Sequence, residues 1–582
     1  MAHTEPGDLV FDGFAGSGAT GLAATLCGNP DPELQDSVEQ LLGPVDWSSR
    51  DGQLYDLSEL AAFISRTLLD SPEVTEFVEA AEEILSNLDR EWGWMYEAPN
   101  EWMDSGTIRH TLWTDHPVCP YCDVSSSFWE LAVTMSPPKM ASKVNCPHCD
   151  RGFEVASADR LTEEYWDDLL NKVCSRRVRT PVFLYGRSSK TLWKRPLMQQ
   201  DSEILERISR TPVPSSVPIV PMLNGENERW GELYRSGYHS GITHLHHFYT
   251  RRNLIAVAAA WQATENYPKK IREALRFWIS SYNAPHSTLM TRVVCKKNAK
   301  DLVVTGAQST TLYIGSLPVE KNVFAGLRTK LKPITEAFSI LRSQSNNVSV
   351  RCASSLEVKL PDSSVDYIFT DPPFGNNIQY SEVNFISEAW LGQKTDSSEE
   401  VIVSPHQKKS VDDYQALLAG ALAEGFRILK PGRFATIAFH STSPVVWDAL
   451  RSAWNLAGFE LVRISILDKT QGSFKQVTAD DSVRGDALIL LRKPREETTN
   501  VAPDTKMSSA IGTSDPWKVI AERLMRLGGK GDNLEARTRQ RLYSYLIAYY
   551  LECEQQIPLT AKAFFAGLDQ RFVKYGDLYY ID

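Results

Sequence analysis

The chain lacks any apolar run near the roughly 18 residues that a membrane span needs. Its first residues, MAHTEPGD, lack the basic-then-apolar order of a secretory leader. These absences argue against a helical membrane protein and a signal-directed secreted one, so a cytoplasmic location is expected. Positive charge is scarce as well: 62 Lys and Arg stand against 73 Asp and Glu, a net charge of −11. A generic polyanion binder is thereby excluded, and any nucleic-acid surface must be local. Nine cysteines in 582 residues are too few for a disulfide framework. Five of them (Cys27, Cys174, Cys295, Cys352, Cys553) are scattered and read as core or incidental thiols. Internal repeats are missing too. What is present is a globular composition, 42% hydrophobic and 23% charged, on a chain long enough for two to four domains.

DLVFDGFAGSGATGLAA (8–24) reads as a buried strand, a glycine turn and a helix from about Thr20. Gly16, Gly18 and Gly21 fit G-x-G-x-x-G. Alone, the turn reports only that a ligand or backbone comes close, whether a nicotinamide or flavin cofactor, a nucleotide phosphate or another adenosine-bearing molecule. GQLYDLSELAAFIS (52–65) repeats the strand-to-helix theme, with Asp56 just past the apolar run, and 73–97 reads as an acidic helix. From 98 to 345 the composition changes; this region holds a Pro-rich segment (212–221), the helix RRNLIAVAAAWQATE and an expected hairpin, DLVVTGAQSTTLYIGSL. From 346 the α/β rhythm resumes with strands VSVRCA, VDYIFTD, RFATIAFH, ELVRISILDK and DALILLRKP, and helices at about 411–430 and 444–457. Neither half has enough strands for a doubly wound sheet; together they do. The expected fold is α/β and Rossmann-like, with core segments 1–97 and 346–497, an insertion 98–345, a linker 498–515 and a helical C-terminal region 516–582.

VDYIFTDPPFGNNIQYSE (365–382) sets Asp371-Pro372-Pro373-Phe374 just after an apolar strand. In an open parallel sheet, ligands bind beyond the carboxyl ends of the strands, and the glycine turn belongs to the same edge. Two prolines fix the backbone so that the Asp371 carboxylate and a proline carbonyl act as paired acceptors, while Phe374 offers a flat apolar face. The arrangement suits an aromatic ring that carries an exocyclic amine.

Asp12-Gly13-Phe14-Ala15-Gly16-Ser17-Gly18 followed by Asp371-Pro372-Pro373-Phe374 resembles the paired motifs of amino-group DNA methyltransferases that use S-adenosylmethionine. NIQYSEVNFISEAWLG and the cysteine-bearing insertion are similar to the zinc-ribbon-containing branch of prokaryotic adenine-specific DNA methylases. The resemblance covers about 1–65 and 346–495 well and the insertion more loosely. It implies that Asp12, Gly13, Phe14, Gly16, Ser17 and Gly18 lie at S-adenosylmethionine, that Asp56 accepts from the ribose hydroxyls and that Ser354 lies near the adenine. It further implies that Asp371, Pro372, Pro373 and Phe374 hold the target base. The implied activity is N6 methylation of adenine in DNA, in restriction-modification or phage defence, where other subunits are expected partners. Related enzymes often carry a helical segment before the first strand; here Met1 is seven residues from it, so that segment is absent, replaced or supplied by a partner. An RNA guanine-N2 methyltransferase, which can share the tetrad, and a nucleic-acid-binding subunit that no longer turns over stay open as alternatives.

CPYC (119–122) and CPHC (146–149), separated by 23 residues, offer Cys119, Cys122, Cys146 and Cys149 as one tetrahedral thiolate site within a ribbon at about 110–155. Four thiolates leave no open position, so a bound zinc would be structural, with His116 and His148 surplus. KVCSRRVRTPVFLYGRSSKTLWKRP (172–196) has eight Lys or Arg and no acid. With Phe183, Tyr185 and Trp193 interleaved, Arg176, Arg177, Arg179, Arg187, Lys190, Lys194 and Arg195 form the candidate DNA surface. The histidines of HLHHFYTRRN (244–253) lack ligand spacing and read as structural.

Overall fold

The computed structural model describes residues 2–222, 230–342, 347–467, 486–495, 515–528 and 534–581. The chain divides into two compact units, Met1–Leu69 with Gln344–Ile378 and Asp396–Asp582, and Asp70–Ser343 with Gln379–Thr395.

The first unit is built on a seven-stranded sheet: β1 (Leu9–Asp12), β2 (Asp51–Asp56), β3 (Val348–Cys352), β4 (Val365–Thr370), β5 (Leu429–Phe439), β6 (Glu460–Leu467) and β7 (Asp486–Arg492). Their order is β3-β2-β1-β4-β5-β7-β6. The first five pair in parallel, and β7 runs antiparallel between β5 and β6. Strand order reverses at the β1–β4 pair, where a doubly wound sheet opens its ligand crevice. The antiparallel β7 departs from the 3-2-1-4-5-6 order of dinucleotide-binding sheets. Consecutive residues Val10 and Phe11, and Leu54 and Tyr55, are all buried, as befits strands covered on both faces. Helices Ala19–Leu26, Glu59–Leu69, Val411–Ile428 and Pro444–Ala457 fall where the sequence pattern sets them. Gly21 serves this packing rather than a ligand, since a Cβ there would stand 2.7 Å from Leu54 Cδ1. The C-terminal helices Pro516–Arg526, Arg539–Glu552 and Ala561–Arg571 share one apolar core with the sheet, Leu542 and Ile547 belonging with Ile437 and Leu491. The expected linker lies almost wholly outside the described residues.

The second unit centres on the long strand Ser105–Asp115, flanked by Arg179–Ser188 with Thr191–Pro196 on one side and by Glu97–Pro99 and Val319–Lys321 on the other. Helices Val74–Trp92, Arg251–Ala263, Lys269–His286 and Val323–Arg342 bury Phe77, Trp278 and Phe338. Two expectations are corrected here. Val74–Trp92 belongs with this unit, because its apolar stripe packs on Lys269–His286 and Val323–Arg342, so the boundary falls at 69–70 rather than 97. Residues 301–317 do not fold on themselves: Val303–Thr305 pairs with Arg292–Val294 instead. Tyr380–Leu391, just after the tetrad, also joins this unit.

Candidate active site and metal centre

The glycine turn leaves β1 at Asp12 and is braced from below. Asp12 is 4% exposed. Its Oδ1 accepts from the Phe14 N–H at 3.0 Å and the Thr370 hydroxyl at 2.8 Å, and its Oδ2 from the Thr20 hydroxyl at 2.6 Å. Burial pushes its carboxyl above the ordinary range, and these three hydrogen bonds oppose the push. Asp12, expected against the cofactor, spends its carboxylate on these three bonds, which tie the turn to Thr20 and to Thr370 at the end of β4.

Above it the turn is open. Gly16 has φ +52°, and no atom lies within 4 Å of where its Cβ would stand. Its N–H donates to Asp56 Oδ2 at 2.7 Å, while Asp56 Oδ1 accepts from the Ser58 N–H at 2.8 Å. Ser65 donates to the Gly16 carbonyl at 3.0 Å. The Asp56 carboxylate, at the end of β2, is thus fixed against the turn, with Ser17 exposed at the tip. Gly13 is held from the β3 side by the Ser355 hydroxyl, which donates to its carbonyl; Ser354, next to it, caps the Leu356 N–H at 3.2 Å. A ribose-sized diol could reach the Asp56 oxygens and an aliphatic chain the open face of Gly16. The turn therefore fits an adenosine-bearing ligand.

The tetrad leaves β4 next to that turn, because β1 and β4 are neighbours with Phe11 opposite Ile368. Two contacts hold its path: the Tyr414 hydroxyl donates to the Pro373 carbonyl at 2.8 Å, and the Val403 N–H to the Gly375 carbonyl at 3.1 Å. Pro372 is buried and Asp371 exposed. Phe374 packs edge-on to Phe439, ring centres 5.1 Å apart, with His440 at 6.2 Å. Thr370, Tyr414, Ser355 and Thr20 escape sequence reading; only Thr370 carries a signal, as the polar last residue of an apolar strand.

In the second unit, Cys119, Cys122, Cys146 and Cys149 place their sulfurs within 4.8 Å of one another. The Cys119–Cys149 and Cys122–Cys146 pairs are each 3.7 Å apart. A tetrahedron with Zn–S bonds of about 2.3 Å has edges of about 3.8 Å, so the sulfur cage has the right size for zinc. The two turns are alike: the carbonyls of Cys119 and Cys146 accept from the N–H groups of Asp123 and Asp150. N–H groups of Cys149 and His148 aimed at Cys146 draw its thiol down to about 6. His116 bonds Thr180 at 2.9 Å and takes no part.

The basic stretch folds into three strands, Lys172–Arg177, Arg179–Ser188 and Thr191–Pro196, and two of its basic side chains, Arg177 and Arg195, are buried. Trp193 is buried, and Phe183 and Tyr185 join an apolar cluster under the sheet. Arg195, expected on a DNA face, is 3% exposed in its side chain and makes a bidentate ion pair with Asp201 at 2.6 and 3.0 Å. Arg177 is buried beside Asp115. Arg176 pairs with Glu163 and Lys194 with Asp301, each at 2.8 Å. Arg187 and Lys190, at the hairpin tip, are exposed. Along Thr191–Pro196, alternation buries Trp193 and Arg195 and exposes their neighbours, which a count of charges does not register.

Among the described residues, no helix is long and apolar enough to cross a membrane. No protein-family model matches the chain, and no curated protein matches its sequence. Solved structures similar to part of it include a candidate DNA modification methylase from Thermus thermophilus, at 17% identity and TM-score 0.16, covering 26% of this chain and 55% of that one. A SAM-dependent methyltransferase from Methanosarcina mazei follows at 10% identity and TM-score 0.16, covering 28% and 79%. The antibiotic-resistance methyltransferase Kmr stands at 17% and 0.15, covering 26% and 63%. The chain thus spans less than two thirds of the first and the third. At such scores these likenesses carry no argument about activity, which rests on the site itself.

Proposed function

We propose that this chain is an S-adenosylmethionine-dependent methyltransferase that modifies the exocyclic N6 amine of adenine in DNA, within a restriction-modification or phage-defence system. The observation that carries the reading is the side-by-side exit of the glycine turn and the Asp-Pro-Pro-Phe tetrad from neighbouring strands at the sheet's order reversal. Gly13, Phe14, Gly16, Ser17, Gly18 and Asp56 would hold the cofactor, with Ser354 at its adenine end. Asp12 would support them from beneath. S-adenosylmethionine supplies an already activated methyl group, which leaves positioning as the main task.

The amine of adenine is a poor nucleophile because its lone pair delocalises into the ring. Asp371 and the Pro372 carbonyl would accept its two N–H bonds, favouring a more tetrahedral nitrogen and stabilising the positive charge that develops there. Phe374 would stack on the extruded base and offset part of the few kcal/mol that flipping costs. Tyr414, by holding the Pro373 carbonyl, keeps that oxygen out of the pairing and fixes the loop. The four cysteines would bind one structural zinc, stabilising a small lobe by about 10 kcal/mol. Arg187 and Lys190 are the residues of the basic stretch best placed to meet phosphates.

Modified-base sequencing of DNA from cells that express the chain tests the whole reading, the expected result being N6-methyladenine at a defined site. Methyl transfer to RNA but not DNA would move the substrate to guanine N2. Cofactor binding without transfer to either would leave a nucleic-acid-binding subunit.

A further inference from the structure

The second unit contains a cavity of about 270 Å³ whose wall includes Arg176, Arg177, Arg179 and Arg251 beside Asp167, His246 and His247. The charges around it do not balance. At the rim, Arg176 is paired with Glu163, and Arg251 with Asp168 through two bonds of 2.9 and 2.8 Å. Deeper, one carboxylate serves several cations: Asp115 Oδ2 takes Arg160 at 2.8 Å and Arg177 at 3.8 Å. Arg177 Nη2 donates to the carbonyls of Ser236 and Gly237. Arg179, two residues on, has no ion pair among the described residues. The Nε atoms of Arg177 and Arg179 are both buried without a hydrogen-bond partner among those residues. Burial, with Arg177 alongside, pushes the Arg179 guanidinium down to about 10, still fully charged at neutral pH. Arg160, Arg177 and Arg179 against Asp115 and the cavity's own ionised Asp167 leave a surplus of one positive charge, which a protein interior tolerates only with a counter-anion.

A metal does not answer this need. Asp167, His246 and His247 have metal-ligand distances, but His247 Nδ1 accepts the Thr243 N–H at 3.2 Å. The ring proton therefore sits on Nε2 and is given to Asp167 Oδ2 at 2.8 Å. A metal on Nε2 would leave that ring with no proton on either nitrogen, and it would add charge where positive charge is already in excess.

We propose that this cavity is a binding site for a phosphate group, received by the guanidiniums of Arg179 and Arg177. Guanidinium forks match the oxygens of a phosphate in pairs, and such an anion neutralises the surplus. The group could be a phosphodiester of a nucleic-acid strand or a free phosphomonoester. The site belongs to the second unit alone and does not depend on methyl transfer.

Thermal unfolding of the full chain in inorganic phosphate, against chloride at matched ionic strength, tests it. The wild-type midpoint should climb with phosphate, whereas Arg179→Gln should show no climb and no lower midpoint in chloride. Should that variant fail to fold, Arg179→Lys keeps the charge without the fork and should need at least tenfold more phosphate for the same shift. A second arm measures DNA binding against salt: a log–log slope reduced by about one in Arg179→Gln makes the phosphodiester the source. An unchanged slope with the phosphate response lost makes it a free phosphomonoester. A wild type indifferent to phosphate in both arms, or an Arg179→Gln protein that responds as wild type does, overturns the site.

Discussion

Thr370 gives its hydroxyl hydrogen to Asp12 Oδ1 across 2.8 Å, joining residues 358 positions apart. Each is the last residue of its strand, so this bond ties the start of the glycine turn to the start of the tetrad, just beyond the ladder that pairs the two strands. Thr370→Val keeps the branched shape and removes the donor. It should cost about 1–2 kcal/mol of stability, because a buried carboxylate oxygen loses a partner. Methyl transfer should fall further than stability does. Calorimetric melting beside single-turnover transfer checks this, and a variant equal to wild type in both would show that the bond positions nothing.

Asp371→Ala removes the carboxylate proposed to polarise the amine. If it acts as one preorganised electrostatic contact, the barrier rises by roughly 3 kcal/mol, on the order of a hundredfold in rate. Cofactor affinity should stay near wild type, since Asp56 and the turn are untouched. Phe374→Ala should instead weaken capture of the flipped base by roughly 1–3 kcal/mol, together with a loss of stability from its edge contact with Phe439. Wild-type transfer rates in Asp371→Ala would remove the tetrad from the chemistry.

Gly16→Val should separate binding from folding. The new side chain meets open space, so its cost to the fold is the strain of positive φ, about 1–2 kcal/mol. On the ligand side it would fill the volume proposed for the cofactor. Titration calorimetry should show S-adenosylmethionine affinity reduced by at least tenfold, and unchanged affinity would place the cofactor elsewhere.

Purified protein should carry about one zinc. Cys146→Ser should lose it and lower the melting temperature of the cysteine-bearing unit. Elemental analysis with calorimetry decides the matter, a metal-free preparation with the wild-type melt being the adverse result.

The basic stretch should split in two. Arg195→Ala strands Asp201 inside the fold and should destabilise the unit by about 3–5 kcal/mol. Alanine at both Arg187 and Lys190 should leave the melt alone and flatten the salt dependence of DNA binding. A melt unchanged in Arg195→Ala would contradict its buried pairing.

What the sequence made legible follows from the range of the interactions involved. The strands and helices of the sheet are encoded by local periodicity, and Val411–Ile428 and Pro444–Ala457 stand within two residues of their expected limits. The cysteine cage was readable because its spacing is itself the chemistry. Asp12 was legible as a motif residue, but its bonds to Thr20 and Thr370 were not, because the motif names a residue without the neighbours its side chain meets. Arg195 and Trp193 misled for a related reason, since strand pairing decides which of two faces each side chain takes. Tyr414 and Ser355 had no signal, being brought to the turn and tetrad only by the finished sheet.

The split between β1 and β4 also sets a timetable for biosynthesis. β1 ends at Asp12 and its inner neighbour begins at Val365. At about 5–20 residues per second, the ribosome needs roughly 20–70 s to deliver that partner. Through that interval Val10 and Phe11 wait on an open strand edge, paired at most with β2, and a lone pair of strands has little stability of its own. Nearly all of the second unit leaves the ribosome first. The lobe proposed to bind metal is therefore assembled early, the sheet bearing the turn and the tetrad last, and a chain cut short before residue 365 holds the cysteine cage without the site.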